Sequence, residues 1–212
     1  MTRGWCLEWP SGSVAERHAV EPEFTSRRVL VHEIDRPTMV LGSSQRNLSI
    51  VEDIDVVQRR SGGGAVLLRP EEVLWLDVLL PRGDPLWDDD LSRATLWLGE
   101  VWCATIRDFG IGAEVFRDSM SRNRWSDSVC FAGRAPGEIL VDGRKVVGIS
   151  QRRNQTGARF QCGVLLRWAA EDMVRFLDLR PAGEALEDLK ASACSLPIGQ
   201  KELQAGFFCN LP

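Results

Sequence analysis

The sequence predicts an α+β domain, a mixed and largely antiparallel sheet flanked by helices, and three observations predict it. Short apolar runs suited to strands, separated by turn signals, recur between residues 28 and 168. A stretch from Asp88 to Phe109 repeats apolar residues every three or four positions, the period of a helix. Three more helical stretches close the chain, which gives mixed strands with interspersed and terminal helices. With 212 residues, 44% of them hydrophobic, the chain can bury a full core. At roughly 100 to 200 residues per domain, one domain over 1–212 is expected, with a core at 27–180, C-terminal helices at 181–212 and no large accessory domain.

In order, residues 1–26 hold Trp5, Trp9, Pro10 and Pro22 without a sustained period and read as a short helix or arm. Arg28 to Ile34 and Thr38 to Leu41 read as strands around the Arg36-Pro37 turn, followed by the polar loop Gly42-Ser43-Ser44-Gln45. Asp53 to Gln58 leads into a glycine-rich loop. Val73 to Leu80 is nearly all apolar, as a strand covered on both faces should be, and Pro81 to Pro85 breaks the chain. Asp88 to Phe109 is expected to be the longest helix, with Asp88-Asp89-Asp90 complementing its N-terminus. Ala113 to Phe116, Val129 to Phe131, Glu138 to Val141, Lys145 to Ser150 and Arg159 to Trp168 read as strands, with Asp142-Gly143 as a hairpin turn. Ala169 to Leu177, Gly183 to Ala191 and Gly199 to Phe208 read as helices, and Trp75, Trp97, Trp102 and Trp168 read as core.

A formal net charge of -4 leaves no global basic field, which disfavours a bulk nucleic-acid binder. The apolar runs fall short of the roughly 20 residues of a membrane-spanning helix, and no signal-peptide pattern opens the sequence, so a soluble, cytoplasmic protein without a membrane partner is expected. The six cysteines stand far apart with no Cys-x-x-Cys pair, and His18 and His32 are too few for a histidine-rich centre. No metal site is expected, and most cysteines read as small buried hydrophobes.

Two segments carry chemistry. In Arg59-Arg60-Ser61-Gly62-Gly63-Gly64-Ala65-Val66 the glycines let backbone N–H groups approach an anionic ligand, and Arg60 adds a forked charge. Three glycines alone would equally suit a flexible turn. In Gly143-Arg144-Lys145-Val146-Val147-Gly148-Ile149-Ser150-Gln151-Arg152-Arg153, a strand carries Lys145, and Gly148 marks a close approach. Alone, a lysine on a hairpin strand is usually solvated.

Together the two segments resemble the lipoate and octanoate protein ligase and transferase family, relatives of the biotin protein ligases, whose hallmarks are an Arg-Arg-x-x-Gly-Gly-Gly-Ala-Val loop and a Lys-x-x-Gly strand. The resemblance spans roughly residues 27–180. It implies the biotin/lipoate ligase catalytic fold and acylation of a lysine on a lipoyl domain of a 2-oxoacid dehydrogenase E2 or on the glycine-cleavage H protein. The acyl group would be lipoate or octanoate, activated by ATP with Mg as an acyl-adenylate. By the same resemblance, Lys145 would be the cation between the acyl carboxyl and the α-phosphate. Arg60, Ser61, Gly62, Gly63, Gly64 and Ala65 would hold the acyl carbonyl and phosphate, and Gly42, Ser43 and Gln45 would lie beside the acyl tunnel. Gly148, Ser150 and Gln151 would line the adenylate side. Arg152 and Arg153 would meet an acidic acceptor, with a solvated basic loop as the equal alternative.

Two departures point elsewhere. Leu67, Leu68 and Arg69 stand where ligases carry an aromatic, His and Asp, and Val129-Cys130-Phe131-Ala132 replaces the Asn-Asp pair before the lysine hairpin. A Cys-Phe there resembles the cysteine-dependent octanoyltransferases of the superfamily. In that alternative Cys130 takes octanoate from acyl-carrier protein as an enzyme thioester and passes it on without ATP, while Lys145 lowers the thiol pKa or polarises the carbonyl. Cys130 as a buried strand residue is the plain counterpart, and Cys162 reads as structural. The remaining possibility is a non-catalytic acyl-binding module on the same fold.

Overall fold

A computed structural model describes residues 4–45, 50–51 and 53–212; the first three residues of the N-terminal arm lie outside it. In chain order the strands are β1 (Cys6–Glu8), β2 (Arg28–His32), β3 (Thr38–Leu41), β4 (Asp55–Gln58), β5 (Val66–Leu68), β6 (Val73–Pro81), β7 (Ala113–Val115), β8 (Ile139–Val141), β9 (Arg144–Arg153) and β10 (Gly157–Leu165). The helices are α1 (Val14–Ala19), α2 (Leu96–Asp108), α3 (Ala170–Phe176), α4 (Ala182–Ser192) and α5 (Gln200–Asn210). Seven strands form one sheet in the order β1-β2-β6-β10-β9-β8-β7, and three form a second, β4-β3-β5. All pairings are antiparallel except β1 with β2 and β3 with β4, as the largely antiparallel expectation requires.

β6 shows why its sequence is almost wholly apolar: it lies between β2 and β10 in the larger sheet, and every residue from Val73 to Leu80 is buried. Its one charged residue, Asp77, is fully buried and held by His32 Nε2 at 2.7 Å, Arg159 Nε at 2.9 Å and Trp75 Nε1 at 3.2 Å. Burial pushes this carboxyl up, but His32 and Arg159 outweigh it and hold Asp77 well below the usual carboxylate range. Trp75 in turn lies between two imidazoles, His18 at 4.6 Å and His32 at 4.0 Å between ring centres.

Burial lowers His18 from 6.5 to about 4. A depressed histidine stabilises the fold fully above its unfolded pKa and loses that contribution as pH falls through the folded one. Stability is therefore expected to drop between pH 6.5 and 4, by on the order of 3 kcal/mol from this group. Urea midpoints at both ends of that window should fall further for the native chain than for His18→Phe. Equal falls would remove the assignment.

The long helix starts later than its periodicity suggests. Asp88 and Asp90 accept the backbone N–H groups of Asp90 and Ser92 and close turns, and α2 begins only at Leu96. Thr95, at its N-cap, donates to Pro136 O at 2.7 Å instead of capping the helix. α2 packs against α5, with Trp102 stacked on Phe207 at 4.2 Å. Val129 to Phe131 is not a strand: Val129 forms a single bridge with Ala65, and Cys130–Ala132 turns as a short 3₁₀ helix. The arm contains both β1 and α1, the latter closed by a Ser13/Glu16 capping box.

The smaller sheet positions the glycine segment. β4 and β5 flank β3, so the connection through residues 59–65 must cross the end of β3 where Gly42 leaves it. A Cβ on Gly42 would stand 1.8 Å from Gly63 O. Gly42→Ala is accordingly expected to displace the loop while the core melts normally; calorimetry, with hydrogen exchange across residues 59–65, would check both halves.

Candidate functional site

The glycine loop is fixed in place. Arg59, 5% exposed, reaches beneath it and donates to Val40 O at 3.3 Å and to Gly62 O and Gly64 O at 2.8 Å each. Gly63 takes φ +97°, a conformation that side chains rarely adopt. Gly64 lets the cysteine segment close on the loop: its Cβ would lie 2.6 Å from Cys130 N. The two segments zip together through Ala65 N donating to Ser128 O at 2.8 Å and Cys130 N donating to Ala65 O at 3.0 Å.

Lys145, 1% exposed, is not a solvated lysine. Its ammonium donates to Cys130 O at 2.7 Å, to Gly133 O at 2.9 Å and to both carboxylate oxygens of Glu138 at 2.9 Å. Glu138 also accepts Ala135 N at 2.8 Å and Ile149 N at 3.3 Å, so every strong donor near it is used. Burial pushes the Glu138 carboxyl up, further than Lys145 pulls it back. A buried cation satisfied by a buried anion costs little as a pair and much if either is removed.

Two cavities meet at Cys130. A narrow one of about 60 Å³, with largely apolar walls, runs past Val40, Val66, Leu68, Trp75, Phe131 and Cys162. The other is a broad cleft of about 900 Å³ lined by Gly62 to Gly64, Lys145, Gln151 and several hydroxyls, among them Ser92, Thr95, Ser119, Ser121 and Ser126. Cys130 and Ser150 line both. Beside this junction the Ser61 hydroxyl lies 3.0 Å from Ser150 Oγ and donates to Gln161 Oε1 at 3.2 Å.

The structure thus brings together Ser61, Gly62, Gly63, Gly64, Ala65, Cys130, Lys145, Gly148, Ser150 and Gln151. Gly42 and Ser43 line neither cavity; Gly42 packs under Gly63, Ser43 N donates to Ser61 O at 3.0 Å, and Gln45 reaches the cleft. Arg60 also stays outside, exposed and paired with Glu21. The arginine pair stands one residue nearer the glycines than in Arg-Arg-x-x-Gly-Gly-Gly-Ala-Val. Aligning on the glycines puts Arg59 on the second arginine of that pattern and Arg60 on a variable position, a signal that the spacing itself offered.

Gly148 faces the narrow cavity. It pairs with Gly163 across β9 and β10, and the two leave a dent in the sheet that receives the Phe131 ring. Glu138, Phe131, Gln161 and His18 are site residues that the sequence did not single out, and Arg59, one of the two arginines expected to supply charge, is instead buried beneath the loop. Cysteines also differ from expectation: Cys103 and Cys162 alone are buried, Cys6 and Cys209 are exposed, and all six are free. Cys162, in the cavity wall, has its thiol pushed up to about 12 by burial and is inert as a nucleophile. Among the described residues no group of three or more His, Cys, Asp or Glu could hold a metal ion, and no helix is long and apolar enough to cross a membrane.

Residues 16–198 match the lipoyl protein ligase A/B catalytic domain. An octanoyltransferase LipM from Exiguobacterium sp. is 33% identical over 116 residues, 52% of this chain and 41% of that protein. An octanoyltransferase LipM from Macrococcus caseolyticus is 27% identical over 150 residues, 68% of this chain and 54% of that protein. The chain spans about half the length of these curated relatives. Among solved structures, a bipartite lipoate protein ligase with its E2 lipoyl domain from Thermoplasma acidophilum matches with a TM-score of 0.71 at 10% identity, over 96% of this chain and 80% of that one. A lipoate-protein ligase A bound with ATP matches with a TM-score of 0.68 at 13% identity, over 96% and 82%. At these identities the two structures speak for the fold.

Proposed function

The chain belongs to the lipoyl protein ligase A/B catalytic-domain family, and on that premise we propose that it transfers an octanoyl group from a thioester of acyl-carrier protein to a lysine of a lipoyl domain or glycine-cleavage H protein, through Cys130. One observation carries this reading: Cys130 stands where a narrow apolar cavity meets a broad cleft that has several hydroxyls on its walls. A thioester donor needs that division, with its alkyl chain in the slot, its carbonyl at the sulfur and its amide-rich carrier arm among the hydroxyls. The likeness to octanoyltransferases supports the same chemistry. A cytoplasmic location goes with such substrates.

In the first half-reaction the Cys130 thiolate attacks the donor carbonyl, and the carrier thiol leaves with a proton, giving an octanoyl-Cys130 thioester. In the second, the acceptor lysine attacks that thioester, an amide forms and the Cys130 thiol is restored. The glycine loop supplies backbone donors for the carbonyl oxygen. Lys145 holds the cysteine segment in place through Cys130 O.

This reverses the order of preference that the glycine run suggested, in which ATP-dependent ligation with lipoate came first. The cleft offers a triphosphate few free cations: Lys145 is paired with Glu138 and Arg122 with Asp127, while Arg134 donates to Gly143 O at 2.6 Å. The amide-rich arm of a carrier thioester asks for neither a metal nor a triphosphate site.

The test incubates the protein and an apo lipoyl domain with octanoyl acyl-carrier protein alone, or with lipoate and Mg-ATP, and reads acceptor mass. Gain from the carrier without ATP is the expected result. Gain only with ATP would restore the ligase reading, and no gain from either donor would leave an acyl-binding module.

A further inference from the structure

We propose that Phe131 is the wall that limits the length of the acyl chain; this rests on the transfer reading and adds its specificity. Phe131 is 2% exposed and lines two cavities: the narrow one that opens at Cys130, and a second, small one lined by Leu67, Leu165, Trp168 and Met173. Val66 is the other residue common to both. The ring and Val66 therefore form the partition, and behind it lies a small space of about 10 Å³, lined also by Glu72 and Arg167, that would join the cavity if the partition were removed.

The partition is rigid. The far end of the ring seats against the Gly148–Gly163 pair, Cζ lying 3.3 Å and 3.8 Å from where their Cβ atoms would stand. Trp168 backs it at 5.8 Å between ring centres, and the Lys145 ammonium lies 5.0 Å from its centre. A ring held from three sides cannot swing away at the small cost of a rotamer change, so chain length meets a fixed stop rather than a pliable one.

Octanoyl, decanoyl and dodecanoyl acyl-carrier proteins offered to the native chain, Phe131→Ala and Val66→Ala would test this, the readout being the ratio of kcat/KM for dodecanoyl over octanoyl. The ratio should rise at least about tenfold in Phe131→Ala, the scale set by methylene discrimination in apolar pockets, and less in Val66→Ala. An unchanged ratio in both folded variants overturns the proposal. Should Phe131→Ala not fold, Val66→Ala carries the same comparison. If the native chain transfers from no donor, the transfer reading fails by itself. Thermal shift with free octanoate and dodecanoate then decides the wall separately: dodecanoate should stabilise a variant but not the native chain, and equal responses overturn it.

Discussion

Cys130→Ala is expected to lower octanoyl transfer from acyl-carrier protein by at least about four orders of magnitude, the scale of losing a covalent nucleophile. The fold should survive. What the segment contributes structurally comes from its backbone, through Cys130 N to Ala65 O and through Cys130 O to the Lys145 ammonium, and alanine keeps both. Intact-mass measurement after mixing with donor should show one octanoyl adduct on the native chain, released by hydroxylamine, and none on the variant. A variant that still acylates its acceptor, or that needs ATP to do so, would move the chemistry away from the thiol.

The second large effect lies in the Lys145–Glu138 pair, where stability and activity should separate. Glu138→Ala leaves an ammonium buried without its anion, which costs about 3–5 kcal/mol. Lys145→Met should cost less, because the remaining carboxyl can take up a proton, and burial already pushes it that way. Both should lose at least about a hundredfold in transfer rate. A double variant, Lys145→Met with Glu138→Leu, should recover stability in urea unfolding and stay inactive. Near-native transfer by Lys145→Met would remove the lysine from the mechanism.

Features written within one segment were legible in the sequence. The apolar run of β6 announced a buried strand, and the glycine run and Lys-x-x-Gly announced a site before any contact was known. Features that depend on distant partners were not. Glu138 reads as an ordinary strand-start carboxylate until Lys145 folds over it, and Val129 to Phe131 has strand composition but is turned by its bridge to Ala65. Asp88 to Asp90 suit a helix N-terminus and turn N–H groups equally well, and the turn took them. Of two adjacent arginines, residue type alone does not say which one is buried; the spacing to the glycines does.

The narrow cavity draws its walls from His18 on α1 through to Gly163 on β10. On the ribosome its binding pocket thus stays incomplete until β10 has been made, some eighty residues after β6, whose apolar length waits until then with one edge lacking its final partner. The cavity is a feature that arrives late in synthesis, and β6 is the segment that chaperones would have to cover in the meantime.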